Sequence, residues 1–116
     1  SIISQYAGIE ALQGSQNEVI KIKNEFEKRR NFIFTELNKL DNIKCFKPGG
    51  AFYAFPNVSN SNLSGENFAD IALNQYGVAL VPGTSFGDSA TEFVRISYAN
   101  SLENIKKAII RLSNIK

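Results

Sequence analysis

Residues 93–98, with the sequence FVRISY, are the stretch around which this chain is organised. Side chains of a strand alternate between two faces, so Arg95 shares one face with Phe93 and Ser97, while the opposite face is entirely apolar or aromatic. This alternation predicts a β-strand with one face in a core. It also places a cation in the middle of a largely apolar strand.

Arg95 needs a planar anion, because desolvating a guanidinium on such a strand is costly unless something pairs with it. Its fork of donors matches a carboxylate or a phosphate through two parallel hydrogen bonds. Three carboxylates of this chain are candidates for the pair: Asp70, Asp88 and Glu92. The residues alone leave two hypotheses open, a structural ion pair and a ligand-binding site.

Composition excludes several classes of protein. The 116 residues are 43% hydrophobic and 21% charged, as in an ordinary globular protein, and we predict a single domain over 1–116. A net charge of +2 argues against nucleic acid as a partner. The chain has no histidine and one cysteine, Cys45, so we expect no metal site, no internal disulfide and a small buried apolar role for Cys45. No apolar run approaches the roughly 18 residues of a membrane span, and a cytoplasmic location fits.

Periodicity divides the chain into helices and strands. A Ser15-x-x-Glu18 capping box predicts the start of a long amphipathic helix that runs to Leu40, and a similar spacing at 100–103 precedes a last helix. The other predicted helices cover 4–12 and 66–76, and the predicted strands cover 43–46, 51–55, 78–81 and 93–98. This order predicts an α+β sandwich, in which a small mixed or antiparallel sheet of about 3–4 strands carries helices on one side.

Two further patterns could mark a site, but each has a simpler explanation. PGTSFG at 82–87 lacks the glycine and lysine spacing of a P-loop, so we interpret it as a turn beside a pocket. Phe52, Tyr53 and Phe55 fall on alternate faces of a predicted strand, where core packing is the simplest role for each and one ring could wall a pocket. Arg95 therefore remains the one candidate anion site.

Four stretches carry a family likeness: QYAGIEAL at 5–12, PGGAFYAFP at 48–56, VALVPGTSFG at 78–87 and RISYA at 95–99. In this order and spacing they resemble the C-terminal part of class I aminotransferases, the pyridoxal-phosphate (PLP) enzymes of fold type I. The likeness is greatest to bacterial-type aspartate aminotransferases and covers essentially the whole chain. It implies that residues 1–116 are the small C-terminal domain of a longer enzyme, without the N-terminal cofactor-binding domain.

The resemblance implies roles for two residues. Arg95 would bind the α-carboxylate of the amino acid or 2-oxo acid substrate, and Phe52 would line the substrate side of the pocket. Closure of this domain over the substrate would exclude water. In the family, the lysine that forms the Schiff base with PLP precedes this part of the sequence. We therefore expect no catalytic or cofactor-binding residue in this chain, no tightly bound PLP, and no activity of the fragment alone.

The implied parent enzyme transfers an amino group between an amino acid, with aspartate favoured, and 2-oxoglutarate, and is expected to be a homodimer. The chain contains no methionine and opens on apolar residues, which also leads us to expect a fragment of a longer protein. Two alternatives stay open: an effector-sensing aminotransferase-like domain of a transcription regulator, and a stand-alone interaction domain. A winged-helix segment upstream of Ser1 would favour the regulator.

Overall fold

The structure is a computed structural model that describes residues 1–115. Within these residues it has four α-helices and three short strands. The helices are α1 (Ile2–Gln13), α2 (Asn17–Leu37), α3 (Gly65–Asn74) and α4 (Leu102–Leu112). The strands are β1 (Tyr53–Ala54), β2 (Val81–Pro82) and β3 (Val94–Ser97). Turns of 3₁₀ helix cover Ser59–Ser61, Gly83–Phe86 and Asp88–Ala90.

The strand that contains Arg95 is the central strand of an antiparallel sheet with the order β1-β3-β2. On one side β1 pairs with β3 so that Tyr53 lies opposite Ser97. On the other side β2 pairs with β3 so that Val81 lies opposite Arg95. An antiparallel sheet with helices packed on it confirms the predicted α+β class.

The core lies on one face of this sheet. Val94 and Ile96 of β3 are buried, as is Tyr98 just beyond it, in agreement with the alternation of the sequence. On this side α2 packs against α4 and β1, and α3 packs against β2 and β3. The helices contribute Ile33, Leu37, Phe68, Ala69, Ala72, Ile105, Ile109 and Leu112 to the core. The opposite face of β3 carries half-buried Arg95 and exposed Ser97.

Residues 43–46 do not form the predicted strand. Only Lys44 pairs in the manner of a strand, through a single bridge to Asn57. The Asn38 side chain replaces a strand partner for Cys45: its Oδ1 accepts from the Cys45 N–H at 3.0 Å, and its Nδ2 donates to the Cys45 carbonyl at 2.9 Å. A nearby side chain thus satisfies backbone groups that a neighbouring strand would otherwise pair.

Helix ends also differ from the prediction. Ser15 does not cap the N-terminus of α2; the helix begins at Asn17, whose N–H lies 3.3 Å from the Ser15 Oγ. The same helix ends at Leu37, three residues early, where Asn38 turns toward Cys45. At α4 the cap is Ser101, one residue later than the predicted spacing, and its Oγ accepts from the Asn104 N–H at 3.2 Å.

The outer strands, β1 and β2, are shorter than predicted because the residues before each of them adopt other conformations or contacts. Ala51 has a φ of 59°, in the left-handed region, so β1 begins only at Tyr53. At the other edge the Val78 N–H donates to the Ala72 carbonyl at 2.8 Å, which ties this residue to the end of α3. As a result β2 begins only at Val81.

Helix α1 forms as predicted but contributes no buried residue. Its apolar stripe is exposed, with Tyr6 at 70%, Ile9 at 51% and Leu12 at 86%. Burial of this stripe needs a surface that residues 1–115 do not supply. In spite of these apolar side chains, no helix within the described range is both long and apolar enough to cross a bilayer.

Candidate functional site

Arg95 forms no ion pair within the described part of the chain. Two of the candidate carboxylates have other neighbours: Asp70 accepts from the Asn74 side chain at 2.7 Å, and Glu92 lies 3.4 Å from the Asn57 amide. No ion pair to Asp88 forms either. Of the two hypotheses for Arg95, the structural ion pair is therefore absent from residues 1–115.

Aromatic rings take the place of a counter-charge. The Arg95 Cζ lies 4.3 Å from the centroid of the Tyr53 ring and 4.6 Å from that of the Phe86 ring. Tyr53 belongs to β1 and Phe86 to the turn that follows β2, and these two strands flank β3 on opposite sides. Both contacts are close enough for cation–π attraction, which stabilises the guanidinium without neutralising it.

The ring of Phe86 is itself braced by aromatic neighbours. It meets Phe55 edge to face, with centroids 6.0 Å apart at 82°, and Phe55 stacks on Phe93 at 5.3 Å and 7°. The turn that contains Phe86 is fixed at Gly83, whose N–H donates to the Phe93 carbonyl at 2.7 Å. Side chains from β1, from β3 and from the turn after β2 thus meet on the face of the sheet that carries Arg95.

Phe52 lines a different space from the Arg95 guanidinium. It borders a cavity of about 410 Å³ beside α2, together with Phe26 and Tyr98, and Arg95 is not among the residues that line it. The Phe52 ring lies 4.5 Å from the Tyr53 ring and 6.1 Å from the Phe26 ring, between centroids. Tyr53 therefore stands between the two residues that the sequence singled out, and the pocket role of Phe52 stays a prediction.

Two buried titratable groups play structural parts. Burial raises the pKa of Tyr98 above its ordinary value, although the nearby Arg30 cation acts in the opposite direction. The Tyr98 hydroxyl donates to the Ala51 carbonyl at 2.9 Å and so braces the residue with the left-handed backbone. Burial likewise raises the pKa of the Cys45 thiol, which is free and buried, as predicted. Both groups therefore stay protonated at neutral pH.

Comparison with known proteins identifies the family. The sequence profile of aminotransferase class I and II matches residues 1–112. The chain belongs to this family of aminotransferases. It is similar to an aspartate aminotransferase of Pyrococcus horikoshii, with 40% identity over 110 residues that cover 93% of this chain and 28% of that protein. An asparagine–oxo-acid transaminase of Streptococcus mutans is 42% identical over 115 residues, which cover 94% of this chain and 28% of that protein.

The fold of this aminotransferase chain also agrees with solved structures of the family. The aspartate aminotransferase from Rhizobium meliloti superposes with a TM-score of 0.91 at 33% identity, over 99% of this chain and 31% of that one. The chain therefore spans less than a third of the length of these relatives. The predicted membership of the aminotransferase family and the predicted α+β class are confirmed.

The lysines of this aminotransferase chain do not fit the PLP cofactor of its family. PLP forms a Schiff base with a lysine that is activated by desolvation or by a neighbouring charge. Every lysine within residues 1–115 is exposed, and several pair with a glutamate of the same helix or turn. The same described range also lacks a group of three or more His, Cys, Asp or Glu side chains placed to hold a metal ion.

The sequence did not link Arg95 to the two residues that contact its guanidinium, Tyr53 and Phe86. Tyr53 lies within the motif at 48–56, but the register that brings it beside Arg95 depends on pairing between distant segments. Phe86 lies in the 82–87 loop, which has no periodicity that could orient a side chain. Family motifs mark both stretches as notable, and only the fold shows that they meet at Arg95.

Proposed function

We propose that this chain is the carboxylate-binding C-terminal part of a PLP-dependent aminotransferase, in which Arg95 binds the α-carboxylate of the amino acid and the 2-oxo acid. The observation that carries the proposal is a half-buried guanidinium on the central strand with no carboxylate paired to it within residues 1–115. Such a cation retains donors for a planar anion. The names of two relatives, both aspartate aminotransferases, support aspartate as the amino acid substrate. The family resemblance adds 2-oxoglutarate as the 2-oxo acid.

Phe52 belongs to the proposal as a wall of the substrate pocket. Phe52 is 41% exposed and so has apolar surface to offer a ligand. Its support is indirect, because the contact with Arg95 runs through the Tyr53 ring. A substrate held by Arg95 would have to extend past Tyr53 to reach Phe52.

The proposal places these residues in a longer enzyme that supplies the lysine for PLP. The share of each relative that the chain covers, about 28–31%, supports this arrangement. The exposed apolar stripe of α1 supports it too, because large exposed apolar patches mark surfaces that bind something else, and another part of the same protein is one such partner. A cytoplasmic homodimer is proposed from the family likeness alone. The regulator hypothesis stays a prediction without a supporting contact in the described residues.

Arg95→Lys in the full-length protein tests the carboxylate assignment. Lysine keeps the charge but loses the planar fork of donors. We therefore expect kcat/KM for aspartate and 2-oxoglutarate to fall roughly 30-fold, which corresponds to a loss of about 2 kcal/mol in transition-state stabilisation. Arg111→Lys is the matched control, because Arg111 is exposed on α4 and only approaches the Gly77 carbonyl, at 3.4 Å. Equal kcat/KM values for the two variants would contradict the assignment.

Absorbance spectra of the isolated chain test the proposal that the lysine for PLP lies outside residues 1–115. With only exposed lysines in the described range, the 116-residue chain mixed with one equivalent of PLP should show no aldimine band after gel filtration. The full-length protein, treated in the same way, should retain the band. A stable band in the isolated chain would mean that one of its own lysines holds the cofactor.

A further inference from the structure

The guanidinium of Arg95 is flanked by rings that come from opposite sides of its strand. Tyr53 approaches from β1 and Phe86 from the turn after β2, with 4.3 Å and 4.6 Å between the Arg95 Cζ and the two ring centroids. The two rings do not pack against each other within the described residues, so the guanidinium separates them. Phe86 is 51% exposed, which means that aromatic contacts, and not burial in the core, hold it in place.

Two aromatic rings packed against a guanidinium restrict how it can bind an anion. All its N–H donors lie in the plane of the group, and the faces have none. A flexible arginine loses rotamer entropy when it is fixed on a ligand, and contact with two rings removes part of that loss before the ligand arrives. An anion that meets such a group must approach in the plane, where a carboxylate makes two parallel hydrogen bonds.

We propose that Tyr53 and Phe86 are positioning residues that hold Arg95 between them and direct its edge toward a planar carboxylate. This proposal rests on the proposed function, because it assumes that Arg95 is the carboxylate-binding group. It assigns the two rings no contact with the reacting atoms. It makes the affinity for the carboxylate depend on a flat ring at each position, and not merely on an apolar side chain.

Substitutions that keep bulk but remove the ring provide the test. In the full-length protein, Phe86→Leu and Tyr53→Leu should each raise the KM for aspartate and the Kd for glutarate about fivefold, with kcat at saturation nearly unchanged. Phe86→Tyr and Tyr53→Phe keep a ring and should restore both constants. Phe46→Leu is the matched control, because Phe46 is a 73% exposed phenylalanine whose only cation neighbour in the described chain is Lys44, with the ammonium 5.9 Å from its ring.

The outcomes separate this proposal from the proposed function. If Arg95→Lys weakens glutarate binding but both leucine variants bind it like the unmodified protein, the rings do not position the arginine and the positioning proposal is wrong. If Arg95→Lys leaves glutarate binding unchanged, the carboxylate assignment itself fails, and the positioning role fails with it. If the leucine variants lose affinity at an unchanged melting temperature and the ring-preserving variants regain it, the proposal is supported.

Discussion

Gly83→Ala should destabilise the protein, because the turn that carries Phe86 leaves no room for a methyl group at this position. A Cβ at residue 83 would overlap the carbonyl oxygen of Ala90 and lie 2.8 Å from that of Phe93. Both obstacles are backbone atoms, which cannot rotate out of the way as a flexible side chain can. The strand that bears Arg95 and the turn that bears Phe86 meet at this glycine.

The magnitude follows from two losses. Forcing an extra carbon into a packed site costs about 1–3 kcal/mol, and the upper end applies where the backbone must shift. Moving the turn away would also weaken the 2.7 Å hydrogen bond from the Gly83 N–H to the Phe93 carbonyl, worth about 1 kcal/mol. We therefore expect the free energy of unfolding to fall by about 3 kcal/mol. For a chain of this size, that lowers the melting temperature by roughly 10 °C.

Urea unfolding followed by far-ultraviolet circular dichroism measures this loss directly. Gly49→Ala is the control, because a Cβ at Gly49 meets nothing within 4 Å and its φ lies outside the left-handed region. The control should change the free energy of unfolding by less than about 1 kcal/mol, with a slight gain from the stiffer unfolded chain. If Gly83→Ala and Gly49→Ala unfold at the same urea concentration, the close approach of Gly83 to β3 is not a feature of the native protein.

Two further predictions concern the buried titratable groups. Tyr98→Phe removes the hydroxyl that donates to the Ala51 carbonyl, so urea unfolding should show a loss of about 1 kcal/mol, and an unchanged midpoint would argue against this contact. Burial raises the pKa of both Cys45 and Tyr98, so the folded chain keeps protons that the unfolded chain releases. The free energy of unfolding should therefore not change with pH near neutrality and should fall as pH rises beyond about 9. In Cys45→Ala the first part of this fall should be less steep. Equal urea midpoints at pH 7 and pH 10 would contradict the prediction.

Local patterns of the sequence predict much of the scaffold. Alternation at 93–98 correctly gives β3 one buried face, because the pleat of a strand depends only on the strand itself. The inward stripe of α4 is equally local, and Ile105, Ile109 and Leu112 are buried as its spacing predicts. Prediction fails where a side chain forms the backbone hydrogen bonds that a neighbouring strand was expected to form. Asn38 pairs with Cys45 in place of a strand, and no periodicity signals a side chain in that role.

The sequence by itself determined the family, the α+β class and the placement of a single cation, Arg95, on the open face of a strand. These conclusions depend on motifs and on the alternation of side chains, so they remain correct even where the predicted ends of helices and strands are wrong by one to three residues. Only the tertiary structure showed that Arg95 lacks an ion pair within residues 1–115 and lies between Tyr53 and Phe86. That arrangement depends on strand order, register and the seating of one turn on β3, and these come from contacts between residues far apart in the chain.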